Sequence, residues 1–152
     1  MSTLKAKIRA DLTSAMKARD KDRAGTLRMV MASITEAEVA GKEAKELTDD
    51  EIITILTREA KKRREAATAF AEGGRTEQAE KEIAEAAVIT EYLPAQLSAE
   101  EISDLVSKAI AQSGAADEGM RAMGKVMGIL TPQTKGKADG GAVAAEVRKQ
   151  LA

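Results

Sequence analysis

The sequence predicts an all-α protein, and three observations carry that expectation. Thirty of its 152 residues are Ala, set among abundant Lys, Glu and Arg, the residues that lose least on entering a helix. Apolar residues recur at three- and four-residue spacing through most of the chain, and nothing alternates with period two. Thr48-Asp49-Asp50-Glu51 and Ser98-Ala99-Glu100-Glu101 have the form of capping boxes, in which a hydroxyl accepts from the third backbone N–H while the Glu reaches back.

The elements follow in order. Leu4, Ile8, Leu12 and Met16 mark a first helix, and after Arg19-Asp20 the stripe Leu27, Val30, Met31, Ile34 and Glu38 marks a second. Gly41 to Leu47 is a charged connection. The Thr48 box then opens a third helix, with Ile52, Leu56, Glu59, Arg63, Ala67 and Phe70 on one stripe, which ends at Gly73-Gly74. A fourth, from about Thr76 to Leu93, is expected to bury Ala79, Ile83, Ala86, Ala87 and Thr90, with Glu77, Glu80, Glu82 and Glu85 on its exposed side. The residue before a proline avoids helical geometry, so Pro94 sets an expected boundary between a four-helix domain over 1–94 and a tail domain over 95–152. In the tail, Ile102, Leu105, Val106, Ala109 and Ile110 form one helix before Gly114. Met120, Met123, Val126, Met127 and Leu130 form a second, stopped by Pro132. Val143, Val147 and Leu151 form a third after the glycine-rich loop Lys135 to Gly141.

Composition removes whole classes of chemistry. Without Cys or His there is no disulfide framework, Cys/His zinc site, thiol nucleophile or imidazole base. The tail loop Lys135-Gly136-Lys137-Ala138-Asp139-Gly140-Gly141 is not a phosphate loop, and Asp139 is expected to cap the last helix. Asp49, Asp50 and Glu51 favour a helix start and need no catalytic explanation. No catalytic, cofactor-binding or metal-binding residue is assigned, and no small-molecule cofactor is expected. The stretch around Lys5, Lys7 and Arg9 lacks the apolar run of a secretory leader, and no run of roughly 18 apolar residues spans a membrane, so the cytoplasm is the expected location.

Twenty-four basic against 25 acidic residues give a net charge of −1, so any nucleic-acid binding must use a local patch. Arg58, Lys61, Lys62, Arg63 and Arg64 put five cations in seven positions, an anion-binding face or a solvated one whose members pair with Glu59 and Glu65. Arg63 and Glu59 fall on the apolar stripe, so they require partners, with Arg28 or Glu36 of the preceding helix as candidates. Gly119 to Ala152 holds six basic against two acidic residues, net +4, while Ala95 to Glu118 is net −4. Met120, Met123 and Met127 read as core filler or as an adaptable partner-binding groove.

Several ordered segments have a family look: Lys21-Asp22-Arg23 with Leu27-Arg28-Met29, Arg58-Glu59-Ala60-Lys61-Lys62-Arg63-Arg64-Glu65, Glu91-Tyr92-Leu93-Pro94-Ala95-Gln96-Leu97-Ser98, Met123-Gly124-Lys125-Val126-Met127 and Gly136-Lys137-Ala138-Asp139-Gly140. Together they resemble the GatB/YqeY family, specifically the free-standing YqeY-like proteins. The tail also resembles the tail domain of the B subunit of the glutamine-dependent aspartyl/glutamyl-tRNA amidotransferase, which contacts tRNA while catalysis lies elsewhere. That likeness implies an accessory tRNA-binding protein without catalysis of its own. Lys125, Lys135, Lys137 and Arg148 are then the candidate RNA contacts, and Arg58, Lys61, Lys62 and Arg64 form a secondary basic face. The alternative is a protein–protein interaction module or an accessory subunit of such an amidotransferase, a carbon–nitrogen ligase taking its nitrogen from glutamine.

Overall fold

Both capping boxes close. The Thr48 hydroxyl accepts from the Glu51 N–H and Glu51 accepts from the Thr48 N–H, each at 3.2 Å, and Ser98 and Glu101 repeat the exchange at 3.1 Å each way. The computed structural model describes residues 2–152, which form seven α-helices and one 3₁₀ segment with no strand among them. The helices are α1 (Thr3–Lys17), α2 (Lys21–Glu38), α3 (Asp49–Glu72), α4 (Thr76–Thr90), α5 (Ala99–Ser113), α6 (Met123–Thr134) and α7 (Gly140–Leu151), with the 3₁₀ segment at Ala116–Ala122. The chain divides into two compact units, one reaching to Leu93 and the other Pro94–Ala152. No helix among the described residues is long and apolar enough to cross a membrane.

In the first unit, α1 to α4 enclose Ile8, Leu27, Val30, Ile34, Ile52, Leu56 and Ile89. Asp49 ties the start of α3 to that of α1: it accepts from the Thr3 hydroxyl at 2.8 Å, from the Leu4 N–H at 3.2 Å and from the Ser2 hydroxyl. These donors, the Ser2 hydroxyl foremost, hold its carboxyl below the usual range. Tyr92 closes the unit by donating to Asp11 at 2.6 Å, with Lys7 lying 5.6 Å from its ring centre. In the second unit, α5, the 3₁₀ segment, α6 and α7 surround Val106, Ala122, Val126, Leu130, Val143 and Val147.

Five expectations are corrected. Met16 is 51% exposed and Ala15 takes the buried place on α1. On α4 the buried residues are Ala79, Ala86 and Ile89, whereas Ile83 is 57% exposed and Ala87 lies outward. Ala79, Ala86 and Ala87 give neighbouring faces little hydrophobic contrast, and the place of Ile89 in the core with Leu27, Ile52 and Leu56 sets the rotation. Beyond Thr90 the chain tightens, with Tyr92 and Leu93 bonding three residues back, so α4 stops before Leu93. In the tail, α6 runs through Pro132 to Thr134. Proline forfeits one hydrogen bond there, but Leu130 and Thr134 are buried on either side and the ladder resumes with Lys135 N–H to Thr131 at 3.1 Å. Met120 is not on that helix: it lies half-exposed after the break at Gly119, whose φ is +58°.

Candidate nucleic-acid interface

The Lys135-Gly136-Lys137 turn combines a fixed backbone with free side chains. Helical geometry ends at Lys135, and Gly136 follows at φ +74°, a conformation that suits a residue without Cβ. Gly136 is buried and its carbonyl accepts from Gln96 Nε2 at 2.8 Å. The Lys137 N–H donates to Thr134 at 2.8 Å, and its carbonyl accepts from the Leu97 N–H at the same distance. Both lysine side chains are exposed, and neither has a carboxylate partner among the described residues.

The other tail candidates stand apart. Lys125 is in the first turn of α6, ten residues before Lys135, which at a rise of about 1.5 Å per residue puts the two about 15 Å apart along the axis. Its ammonium is 3.7 Å from Glu118, with both side chains largely exposed. Arg148 is exposed in the last turn of α7. Asp139 occupies the N-cap position of α7, but its side chain makes no capping hydrogen bond, contrary to the sequence expectation; its carbonyl accepts from the Val143 N–H at 3.1 Å.

The basic run on α3 splits three ways because each residue turns the helix by about 100°. Arg63 points inward and is 9% exposed. It donates through Nη1 to the Glu59 carboxylate at 2.7 Å and to the Glu59 carbonyl at 3.0 Å, while Nη2 lies 3.7 Å from the Met29 sulfur. Its Nε is 3.3 Å from a Glu85 oxygen but not aligned for a hydrogen bond, so the two attract as charges. Arg58, Lys61 and Lys62 turn toward α2, lining a groove of about 530 Å³ with Ser33, Glu36 and Glu59. Arg64 turns toward α4, beside Ile83 and Thr90.

The buried network therefore differs from the expected one. Arg63 is balanced by Glu59 and by Glu85 of α4, a residue assigned to the exposed face from sequence but whose side chain is only 17% exposed. Arg28 lines another groove, and Glu36 lines the groove facing α2 with Ser33 and Glu59. Ser33 donates to Glu59 at 3.3 Å. Burial pushes the Glu59 carboxyl up, but the Arg63 hydrogen bond and the charges of Lys62 and Arg63 outweigh it and hold the group below its ordinary value. An acid held ionised in this way is a structural anion, not a poised proton donor.

A family match described as Yqey-like protein spans residues 5–151. The chain belongs to the YqeY-like family. An uncharacterized protein of Schizosaccharomyces pombe is 35% identical over 96 residues, covering 62% of this chain and 76% of the relative. A Pyrenophora tritici-repentis protein named Altered inheritance of mitochondria protein 41, mitochondrial, is 30% identical over 136 residues, covering 87% and 71%. In this YqeY-like chain, then, the groups able to meet an anion are exposed Lys and Arg on a fixed turn and on helix faces. They offer charge and hydrogen-bond donors, the groups that hold a phosphate.

Proposed function

We propose that this YqeY-like protein is an accessory tRNA-binding protein that holds the RNA through its tail and performs no catalytic step of its own. The carrying observation is the Lys135-Gly136-Lys137 turn: two unpaired ammonium groups on a backbone already fixed by hydrogen bonds, within a stretch of net charge +4. Ordering such a turn costs little at the moment of binding, and lysines treat phosphate as a point charge. The likeness of the tail to the amidotransferase tail domain supports tRNA as the RNA. Lys125 and Arg148 extend the surface rather than belong to the same cluster. The cytoplasm is the proposed location; a mitochondrial one, as the Pyrenophora relative's name carries, would equally present tRNA.

Binding measured by anisotropy of labelled tRNA tests this reading. With about three phosphates neutralised, affinity should fall about 20- to 40-fold between about 50 and 200 mM salt, with little dependence on tRNA identity. Replacing Lys135 and Lys137 together with Ala should flatten the slope of log affinity against log salt by about 1 to 2. A folded double variant with unchanged affinity and slope would remove the turn from the interface and leave the Arg58, Lys61 and Lys62 groove as the better site.

A further inference from the structure

We propose that the corner between α1 and α2 is a docking surface for an acidic, amphipathic segment of a partner protein. The corner is closed by two backbone bonds, Asp20 N–H to Ala15 at 2.9 Å and Arg19 N–H to Met16 at 3.2 Å, which place Arg19 at φ +59°. Among described residues other than glycine, Arg19 alone has a positive φ. Glycine ends a helix this way without steric cost, whereas a residue with a Cβ is strained. Local folding thus favours Gly at this position, and the presence of Arg points to a use for its side chain.

That side chain has company. Arg19, Lys21 and Arg28 line a groove of about 470 Å³ whose apolar surface comes from Ala15, Met16 and Ala24. None of the three cations has a carboxylate partner among the described residues, and Lys17, two residues before Arg19, is exposed as well. Asp20 lines the same groove, but its carboxylate caps α2 by accepting from the Arg23 N–H at 3.2 Å. Met16, half-exposed, supplies a flexible apolar contact that accommodates many side-chain shapes.

Charge and apolarity together select the occupant. Unpaired cations around an apolar floor match a segment with carboxylates flanking one or two large aliphatic side chains. An RNA backbone satisfies the cations but offers nothing to the floor. Splayed bases seek aromatic platforms, whereas Phe70 is on α3 and Tyr92 is buried in the core. The neighbouring groove between α2 and α4 shows the contrast: Lys21, Arg23 and Lys81 there face Asp22, Glu77, Glu80 and Glu85, so it carries no such excess.

The test uses the full chain and a fluorescein-labelled peptide with Leu at i, i+3, i+4 and i+7 and Glu at the remaining positions. Its controls are the same peptide with Gln for Glu, the same with Ser for Leu, and an oligouridylate. Saturable binding of the acidic Leu peptide, weakened about fivefold or more by either control change, is expected. Arg19→Gly should weaken that binding about fivefold while melting at the same or a higher temperature, because relief of strain and loss of the contact act in opposite directions. Arg28→Gln, an exposed helical change, should act similarly, and Met16→Ser should weaken the Leu peptide but not the Ser peptide. Absence of saturable binding, equal binding of the Gln peptide, or full affinity in both Arg variants would overturn the proposal. Oligouridylate binding that is lost in the Arg variants, with Leu and Ser peptides indistinguishable, would assign the corner to nucleic acid instead. The Lys135→Ala, Lys137→Ala variant should bind the peptide normally, which separates this surface from the tail.

Discussion

Replacing Arg63 with Met takes away the guanidinium that lies between Glu59 and Glu85, leaving Glu59 with the exposed Lys62 at 3.8 Å. In the native protein Glu59 is 2.7 Å and Glu85 3.3 Å from the guanidinium, and the three side chains are 10%, 17% and 17% exposed in the order Arg63, Glu59, Glu85. Removing one member of a fully buried ion pair costs about 3–5 kcal/mol, and the residual exposure here places the loss near the lower end, about 3 kcal/mol. For a unit of about 93 residues the unfolding entropy is about 0.2 kcal/mol/K, so the melting temperature should fall by about 15 °C. Adding Glu85→Gln removes one of the stranded charges and should return about 1–2 kcal/mol of that loss. Thermal and urea unfolding followed by far-ultraviolet circular dichroism would measure both steps. A drop below about 4 °C for Arg63→Met, or no recovery on adding Glu85→Gln, would refute the assignment of Arg63 as the charge that holds α3 against α4.

Acid should weaken the first unit. Glu38, held down chiefly by its hydrogen bond from Lys5, Asp49 by those from Ser2 and Thr3, and Glu59, in which Arg63 and Lys62 outweigh burial, all have folded-state values below their unfolded ones. Their stabilisation is therefore complete above the ordinary carboxylate range and lost as pH falls through the folded values, so the melting temperature should hold steady from pH 8 to about 5 and decline below about 4.5. At the other extreme, burial first and the Asp11 hydrogen bond second raise the Tyr92 phenol, so its contribution is present below about pH 10 and fades as pH rises beyond it; Tyr92→Phe should remove that alkaline decline. A fragment of Met1 to Pro94 should unfold cooperatively by calorimetry, since its core of Ile8, Leu27, Ile34, Ile52, Leu56 and Ile89 lies within those residues; a broad, non-cooperative melt would show that it cannot fold without the tail.

Helix placement was legible because capping and periodicity are local. Thr48 and Ser98 mark starts through contacts spanning three residues, and Gly114 ends α5 at φ +67°. Rotation was less legible where Ala crowds neighbouring faces: Ile83 keeps a four-residue spacing with Ala79 and Ala87, Ile89 a three-residue spacing with Ala86, and tertiary packing in the shared core selects Ile89. The Pro132 expectation failed for a related reason. Local propensity charges proline with ending a helix, but burial of Leu130 and Thr134 outweighs one missing hydrogen bond.

Charged sites obey a different geometry from charged runs. Five cations in seven consecutive residues look like one patch, yet helical rotation turns Arg63 into the core, Arg58, Lys61 and Lys62 toward α2, and Arg64 toward α4. Glu85 stayed hidden for the converse reason: its partner Arg63 is on another helix, and nothing within its own neighbourhood of sequence distinguishes it from Glu80 or Glu82. A chain reversal does the opposite of a helix, gathering residues that belong to no run. Arg19, Lys21 and Arg28 occupy the last residue of a turn, the first residue of a helix and a position two turns further on, and they share one groove. In a helical protein of this composition, cation-rich surfaces are therefore to be sought where helices meet at corners, such as the α1–α2 junction and the Lys135–Lys137 turn. There the backbone fixes the side chains' origin, and at the α1–α2 corner the nearby Asp20 is taken up in capping α2.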